Sequence, residues 1–462
     1  MRPFWIEQAL FNDGDLAPAL QGAQHADVCI VGGGFTGLWT AIQTRQQNPS
    51  LDIAIIESDL CGVGASGRNG GCLHTWSAKF FTLRRLYGEA EAIRLVKASE
   101  AVLGHIAAFC RENGIDAEYR QDGTLFTATS QAQVGAFEPV MRALEDCGIH
   151  SYQALRPEEV ARRSGSARNI AGVYSPVAAT VHPGKLVRGL RRVALSMGIR
   201  VYERSPMLDF SRGHPVIVRT PSGSIEAKKL VLAINAWMAR ALPQFERTIA
   251  VVSSDMVITE KCPALIREMG LDNGISVLDS RTFVYYYRTT IDGRLMLGKG
   301  GNTFARGGRI EPVFDQRSPY EAELTRALHS FFPALQQTPI TASWNGPSDR
   351  SVTGLPFFGK LDGAPHIHYG FGYSGNGVGP TYMGGQILSS MLLDQDNAWT
   401  RSPLTQGPLG LFPPEPIRYL GSIAVRNAIR RKERAEDANR QPWMIDRMLS
   451  KLANAAGKSD KA

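Results

Sequence analysis

One segment near the start of the chain restricts the possible folds more than any other. Residues 27–57 read DVCIVGGGFTGLWTAIQTRQQNPSLDIAIIE, which is an apolar run, a glycine turn, a helical stretch and a second apolar run. Apolar runs without alternation, here 28–31 and 53–56, are typical of strands buried on both faces of a parallel sheet. The segment therefore predicts a βαβ unit inside an α/β domain.

The turn of this unit carries glycines at the three positions of the pattern G-x-G-x-x-G, namely Gly32, Gly34 and Gly37. The first glycine permits the tight turn, the second lets a pyrophosphate approach the backbone, and the third lets the helix pack closely on the strand. Glu57 stands 20 residues after Gly37. A carboxylate at that spacing accepts hydrogen bonds from both ribose hydroxyls of an adenosine and repels a 2′-phosphate. We therefore predict a dinucleotide site; the alternative is a βαβ unit that merely ends in an acidic residue.

Length and composition limit the other possibilities. The 462 residues suffice for two or three domains with large cores. The six cysteines show no paired C-x-x-C spacing, which favours a reducing compartment, and no H-x-x-H motif indicates a catalytic metal. No apolar leader and no run of about 18 apolar residues is present. We expect a cytoplasmic protein without a transmembrane segment.

The remaining pattern predicts further helices and a second, β-rich region. Alternating runs at 250–259, 282–288 and 294–298 favour an antiparallel sheet. Helices are predicted at 89–113, 132–148, 182–198 and 382–393, a hairpin at 216–219 and 224–228, and single strands at 123–128, 199–203, 229–237 and 367–371.

Four motifs together resemble the D-amino-acid-oxidase-like FAD-dependent oxidoreductase superfamily. They are GGGFTGL near the N-terminus, GASGRNGG after the second strand, the strand end Asn235-Ala236-Trp237, and the late GYSGNGVG. The resemblance spans residues from about 25 to 395. Trp344, Gly346 and Leu355-Pro356 add a likeness to the γ-glutamylputrescine oxidoreductase branch.

The resemblance implies an α/β fold, α+β overall, with FAD as cofactor. A Rossmann-like FAD-binding domain would comprise residues 1–85, 165–245 and 345–400. A ββα-type substrate domain built on a mostly antiparallel sheet would comprise 86–164 and 246–344, and residues 401–462 would form a basic helical appendage.

The same resemblance implies which residues bind FAD. The glycine turn would hold the pyrophosphate, Glu57 the adenosine ribose, the loop 64–71 would run along the diphosphate with Arg68 offsetting its charge, and 375–378 would contact the pyrimidine side of the flavin. The full predicted set is Gly32, Gly33, Gly34, Phe35, Thr36, Gly37, Glu57, Ser58, Gly64, Ala65, Ser66, Arg68, Asn69, Gly70, Gly71, Asn235, Ala236, Trp237, Gly375, Asn376, Gly377 and Val378.

Two departures from related enzymes bear on the chemistry. Glycine oxidases place a carboxylate-binding arginine eight residues before the proline that corresponds to Pro356, and this chain has Ser348 there. Arg350 or Arg288 would then bind an anionic substrate from another direction. Sarcosine oxidases carry a lysine above the flavin that helps to reduce oxygen, where this chain offers Met296. The electron acceptor, oxygen or another molecule, is therefore left open.

Four residues are the candidates for catalysis and substrate contact: Tyr285, Tyr287, Trp344 and Arg350. Tyr285 and Tyr287 share one face of a strand and would enclose an amine over the flavin, although buried aromatic residues in sheets more often serve packing alone. Trp344 and Arg350 lie where the chain returns to the FAD-binding domain. His74 and Cys72 are alternatives for a covalent flavin link.

The leading hypothesis is an FAD-dependent amine oxidase or dehydrogenase. It oxidises the C–N bond of a small primary or secondary amine or amino acid derivative by hydride transfer to flavin N5. The imine product hydrolyses, and we expect no nucleic-acid partner. One alternative is an FAD-dependent tRNA-modifying enzyme that uses the basic stretch 426–434. Another is a peripheral membrane dehydrogenase that reaches quinone through Trp443-Met444-Ile445.

Overall fold

A computed structural model describes residues 2–11, 13, 16–453 and 460. Residues 454–459, 461 and 462 of the predicted appendage lie outside the described residues. The helices are α1 (Phe4–Phe11), α2 (Phe35–Gln47), α3 (Phe80–Tyr87), α4 (Glu89–Glu112), α5 (Glu138–Glu145), α6 (Pro157–Ser164), α7 (Pro183–Ser196), α8 (Met238–Ala241), α9 (Pro263–Glu268), α10 (Glu321–Phe331), α11 (Pro380–Leu392), α12 (Ile417–Asp437) and α13 (Met444–Lys451).

The strands are β1 (Gly22–Val31), β2 (Ile53–Ile56), β3 (Cys72–Leu73), β4 (Thr124–Ala128), β5 (Gln153–Ala154), β6 (Ala171–Ser175), β7 (Ala179–Thr180), β8 (Arg200–Tyr202), β9 (Asp209–Phe210), β10 (Val216–Arg219), β11 (Gly223–Leu232), β12 (Ile249–Thr259), β13 (Ser276–Asp279), β14 (Tyr285–Thr289), β15 (Leu295–Phe304), β16 (Ile340–Ser351), β17 (Phe357–Leu361) and β18 (Ala364–Phe371).

The first sheet is parallel at its centre and buried on both faces. Its strands run in the order β17, β18, β11, β1, β2, β8, and β10 pairs with β11 while β9 pairs with β10. Val28 and Ile30 of β1 pack into one hydrophobic core, while Cys29 and Val31 pack into a second on the other face. Helices α2, α7 and α11 cover the first of these faces. Two-sided burial explains why the strand sequences lack alternation.

The second sheet is mostly antiparallel, in the order β16, β12, β15, β14, β13, β4, β6, β5. Only its β13–β4 pair is parallel among the described strands. One face packs on a third core, to which α10 contributes Leu324, Leu328 and Phe331. The expected mixed α/β fold with a mostly antiparallel second sheet is thus confirmed.

Several local predictions need correction. The helix expected over 132–148 is only α5, because Gly135 adopts a left-handed φ of +80° and Pro139 favours a helix start at this point. The expected strand 229–237 is the second half of β11. The same strand includes residues 224–228, which were expected as a separate strand of the hairpin, and a 3₁₀ turn follows at Asn235–Trp237. Strand β6 and the end of β16 pair in the second sheet, although the predicted boundaries placed them in the FAD-binding domain.

The C-terminal helix α12 packs against the second sheet. Buried Arg281 donates hydrogen bonds to Asp437 of α12 and to Asp279 of β13, and it faces Glu433. Arg426 donates to the backbone oxygen of Asn302 at 2.8 Å. Polar contacts and ion pairs therefore hold α12 on the second sheet.

No helix in residues 2–11, 13, 16–453 and 460 has the length and apolar character to cross a membrane.

Candidate active site

A cavity of about 840 Å³ lies where the carboxyl ends of the first sheet's parallel strands meet the second sheet. This edge of a parallel sheet is where α/β folds bind ligands. Most of the predicted FAD-binding residues line it: Gly32, Gly34, Phe35, Thr36, Glu57, Ser58, Gly64, Ala65, Ser66, Arg68, Asn69, Gly70, Asn235, Trp237, Gly375, Gly377 and Val378. The lining does not include Gly33, Gly37, Gly71, Ala236 or Asn376.

The glycine turn brings the N-terminus of α2 to the cavity. Gly32 has a left-handed φ of +113°, and a Cβ there would lie 2.5 Å from the backbone oxygen of Ala233. A Cβ on Gly37 would collide with the backbone oxygen of Gly32, so only glycine allows helix and strand this close. Gly34 is extended at φ −87° and opens the helix. The N–H groups of the first turn of α2 and the helix dipole favour an anion here.

Glu57 closes the other side of the turn. One carboxylate oxygen accepts hydrogen bonds from the N–H of Gly33 at 2.7 Å, and the other accepts from the Ser58 hydroxyl at 2.8 Å and the Asp59 N–H at 3.1 Å. Burial raises the pKa of Glu57, while these donors oppose the rise. A carboxylate held beside the turn in this way is positioned to accept hydrogen bonds from the hydroxyl groups of a ribose.

The loop 64–71 runs from the turn to the second sheet. At its start the Ser66 hydroxyl accepts the N–H of Phe35 at 2.9 Å. In the middle, Asn69 donates to the backbone oxygen of Ser66 at 2.7 Å and accepts the N–H of Gly71 at 2.7 Å. At its end Gly70 approaches so closely that a Cβ would lie 2.6 Å from the Tyr286 ring. The cavity therefore spans the distance between the two sheets.

Arg68 ties this loop to the second sheet. Its guanidinium donates to the backbone oxygens of Val63 at 2.7 Å and Asn345 at 3.1 Å, and it pairs with Asp315. The side chain is buried although it borders the cavity. A bridging role is thus evident, and the contact of Arg68 with a diphosphate stays a prediction.

The late glycine loop is held from below by Asp349, which the sequence reading did not single out. The buried carboxylate accepts the N–H groups of Gly372 at 2.5 Å, Tyr373 at 3.2 Å and Ser374 at 3.2 Å. Burial raises the pKa of Asp349 to about 6, with the three N–H donors acting in the opposite direction. Asp349 thereby positions the turn that leads to Gly375 in the cavity wall.

The structure corrects the assignment of the tyrosine strand. Tyr286 of β14 lines the cavity and lies 3.0 Å from the Ser254 hydroxyl, while Tyr285 and Tyr287 point to the opposite face. The Tyr287 hydroxyl donates to the Ser164 backbone oxygen at 2.9 Å inside the third core. Alternation was read correctly, but a sequence cannot show which face meets the cavity.

Lys299 joins Tyr285 on that opposite face. The ammonium lies 3.8 Å from the centre of the Tyr285 ring and donates to the backbone oxygen of Phe283 at 3.0 Å. Met296 instead lies on the cavity side, since a Cβ on Gly70 would meet its methyl carbon at 3.2 Å. The expected absence of a lysine on the face toward the cavity therefore agrees with the geometry of β15.

Of the two remaining candidates for substrate contact, Arg350 lines the cavity and Trp344 does not. Trp344 is fully buried, stacks on Phe4 with ring centres 5.8 Å apart, donates its indole N–H to the backbone oxygen of Arg68 at 3.1 Å, and does not line the cavity. Arg350 does line it, and burial lowers the pKa of its guanidinium to about 10. Arg288 is taken up by the backbone oxygens of Gly70 and Val181. A contact of Arg350 with an anionic substrate stays a prediction.

Two buried polar atoms indicate that the cavity fits a polar ligand. The amide oxygen of Asn235 and the hydroxyl of Ser348 both belong to cavity residues, and no described residue supplies a hydrogen-bond partner to either. Buried polar atoms normally find partners, so these two are open to a bound group. Together with the glycine turn and Glu57, they fit FAD.

The cavity wall also contains residues that the sequence left uncertain or did not indicate. Cys72 and His74 line the cavity, as do Ser254, Tyr286, Asp349 and Tyr373. The Tyr373 hydroxyl accepts the hydroxyl of Thr36 at 3.1 Å, which joins the late loop to α2. No local motif announces these residues, because distant strands bring them together.

The two large sheets and the cavity where they meet fit an oxidoreductase that uses a flavin dinucleotide. In a comparison with known protein families, the model of the DAO family of FAD dependent oxidoreductases matches residues 27–391. The chain belongs to this family, and it is therefore an FAD-dependent enzyme.

Similar proteins include bacterial oxidoreductases. Gamma-glutamylputrescine oxidoreductase of Escherichia coli is 29% identical over 374 residues, which cover 79% of this chain and 83% of the relative. Probable oxidoreductase OrdL of Haemophilus influenzae is 25% identical over 386 residues, 82% and 85% of the two chains. Glycine oxidase from Geobacillus kaustophilus superposes with a TM-score of 0.67 at 22% identity, over 83% of this chain and 98% of the other, which supports the fold.

Proposed function

We propose that the protein oxidises the C–N bond of a small primary or secondary amine that also bears an anionic group. The observation that carries the proposal is the placing of Arg350, Tyr286 and Ser254 in the wall that the second sheet adds to the FAD cavity. The relative from Escherichia coli is named for an amine substrate, which supports the same class. When bound, FAD supplies a two-electron acceptor for the hydride that leaves the carbon next to nitrogen.

The protein's own residues would bind and orient the substrate. Arg350 would hold the anionic group, because it lies in the cavity wall and a guanidinium offers a fork of donors that matches a carboxylate or phosphate. The paired hydroxyls of Tyr286 and Ser254, 3.0 Å apart, would accept or donate a hydrogen bond at the amine nitrogen. Burial raises the pKa of Tyr286, so its hydroxyl stays protonated at neutral pH and does not act as an anionic base.

The enclosed walls favour the neutral amine whose lone pair assists the departure of hydride. A charged ammonium loses solvation in a buried site, and that loss lowers its pKa. The imine formed would be hydrolysed by water. A role for His74 or Cys72 as a covalent flavin link stays a prediction.

The experiment is an anaerobic titration of the purified yellow holoenzyme. A panel contains γ-glutamylated amines, N-methyl amino acids and aminophosphonates, with 2-hydroxy acids as the oxygen counterparts. Bleaching of the flavin by one amine, and by none of the hydroxy acids, supports the proposal. Bleaching by a hydroxy acid alone would overturn it. Admission of air then tests whether oxygen serves as the electron acceptor. The cytoplasmic location stays a prediction.

The tRNA-modifying alternative gains no support from α12. Several of its cations are already engaged, including Arg430 with the side chain of Asn302 and Lys432 with Glu436. The expectation of no nucleic-acid partner stays a prediction that a salt-dependent RNA-binding assay tests.

A further inference from the structure

Helix α13 has its amphipathic faces reversed. The polar residues Asp446 and Ser450 are buried, at 3% and 5% exposure, and face the body of the protein. Arg431 of α12 holds Asp446 through three hydrogen bonds of 2.6 to 3.1 Å. A helix on a water-exposed surface normally buries its apolar side and exposes its polar side. The ion pair instead docks α13 by its polar side.

The apolar side of α13 consequently faces outward. Met444, Ile445 and Met448 are 75%, 59% and 63% exposed, and the flanking Trp443 and Leu452 are 75% and 72% exposed. At 100° per residue, positions 444, 445, 448 and 452 fall within one sector of the helix. No described residue covers this apolar sector. A contiguous apolar patch of this kind marks an interaction surface.

Cations border the apolar sector. Arg447 and Lys451 lie along one edge of it on the helical wheel, and Arg434 and Arg440 are exposed on the adjoining end of α12 and the turn after it. Tryptophan and basic residues beside an apolar face are typical of helices that lie in the interface of an anionic bilayer. The formal charge of the chain, +8, has the matching sign.

We propose that α13, together with Trp443 and Leu452, docks the enzyme on the surface of an anionic phospholipid bilayer. A second copy of the chain fits less well. In an antiparallel two-fold contact of two α13 helices, the edge that carries Arg447 and Lys451 would face the same cationic edge of the partner. Docking leaves the helix parallel to the surface and leaves the FAD cavity in the body of the enzyme. The proposal does not depend on the identity of the amine.

The test is flotation of the holoenzyme with phosphatidylcholine vesicles and with vesicles that contain one quarter phosphatidylglycerol. Binding should occur with the anionic vesicles and weaken as salt is raised. Met444→Glu/Met448→Glu should lower the vesicle-bound to free ratio by at least about tenfold, since each change places a charge in the apolar contact. Ile291→Glu is the matched control, because Ile291 is exposed to 59% on a distant hairpin turn, and it should bind like the unmodified enzyme.

Two further measurements keep the proposal decidable. Arg447→Gln/Lys451→Gln should remove most of the preference for anionic vesicles while flavin content and circular dichroism stay unchanged. Trp443 fluorescence, taken as the difference from Trp443→Phe, should shift to the blue on binding. Absence of binding at low salt overturns the proposal. So does a dimer in light scattering that Met444→Glu/Met448→Glu dissociates while vesicles have no effect.

Discussion

The two parts of the cavity are built in different ways. At the glycine turn, backbone N–H groups and Glu57 form the wall, and all of them come from one stretch of about thirty residues. At the second sheet, side chains form the wall, and Ser254, Tyr286 and Arg350 come from three separate strands. The first part needs glycine at Gly32 and Gly37, where a Cβ would collide with a backbone oxygen. The second needs a strand register, within which side chains can be exchanged. This contrast suggests that substitutions can change the substrate of the site more easily than its cofactor.

The largest effect should come from a change at the glycine turn. Gly34→Val keeps an allowed backbone, since φ is −87°, but its Cβ would lie 2.9 Å from the Ser66 hydroxyl and its methyl groups would enter the cavity. Two lost charge-assisted hydrogen bonds, worth about 2 kcal/mol each, raise the Kd for FAD by about a thousandfold. Fluorescence titration of the apoprotein with FAD measures this constant.

The control for this change is Gly104→Ala in α4, where a Cβ would meet nothing within 4 Å. It should bind FAD normally and unfold at a slightly higher temperature, because alanine favours a helix. If Gly34→Val purified with a full complement of FAD, the assignment of the turn to the pyrophosphate would be wrong.

The next effect tests the substrate part of the cavity. Arg350→Gln should lower kcat/KM for an anionic amine by about 300-fold, equivalent to about 3.4 kcal/mol for one lost buried charge contact. The same variant should change kcat/KM for an uncharged amine far less, because that substrate has no anion to hold. Steady-state kinetics with both substrates separates the two effects.

Arg162→Gln removes an exposed guanidinium on α6 and provides the control for charge. It should leave both rate constants unchanged. Equal losses for charged and uncharged amines in Arg350→Gln would instead assign Arg350 to holding the loop at Gly375.

The same contrast explains what the sequence could predict. The glycine turn and Glu57 were found because their spacing is local and the physical need for glycine is absolute. The sequence predicts the tyrosine strand and its alternation. It does not show that Tyr286, rather than Tyr285 and Tyr287, faces the cavity, because the pairing with β15 sets that face. Trp344 packs on Phe4 and donates to the backbone of Arg68, and Asp349 acts on a turn more than twenty residues away. Neither fact has a local signal.

Asp349 offers a pH-dependent test of how the late loop is held. Its folded pKa of about 6 lies above the ordinary 3.8, so the folded state binds the proton more tightly than the unfolded state. The stability from this group therefore falls as pH rises from about 4 to about 6, and is level above. The difference corresponds to about 3 kcal/mol, or about a hundredfold in the unfolding equilibrium.

Urea unfolding of the protein and of Asp349→Asn at several pH values measures this effect. The variant is expected to be less stable throughout because its amide brings N–H groups against the donors of the loop. Its deficit should be largest near pH 4 and shrink toward pH 6.5. Asp396→Asn, at an exposed carboxylate, should show no such trend. A deficit that grows with pH would mean that the three N–H donors outweigh burial.

The smallest effect distinguishes neighbours on one strand. Tyr286→Phe removes the hydroxyl that pairs with Ser254 in the cavity, so kcat/KM should fall by about tenfold, the value of one hydrogen bond, with little loss of stability. Tyr287→Phe leaves the Ser164 carbonyl and the Asn169 amide without their partner, so it should lower the free energy of unfolding by about 2 kcal/mol and leave kcat/KM within about twofold. Kinetics and urea unfolding of both variants give the four values. The opposite pattern would place the cavity face on Tyr287 and refute the register of β14 on which the substrate part of the site rests.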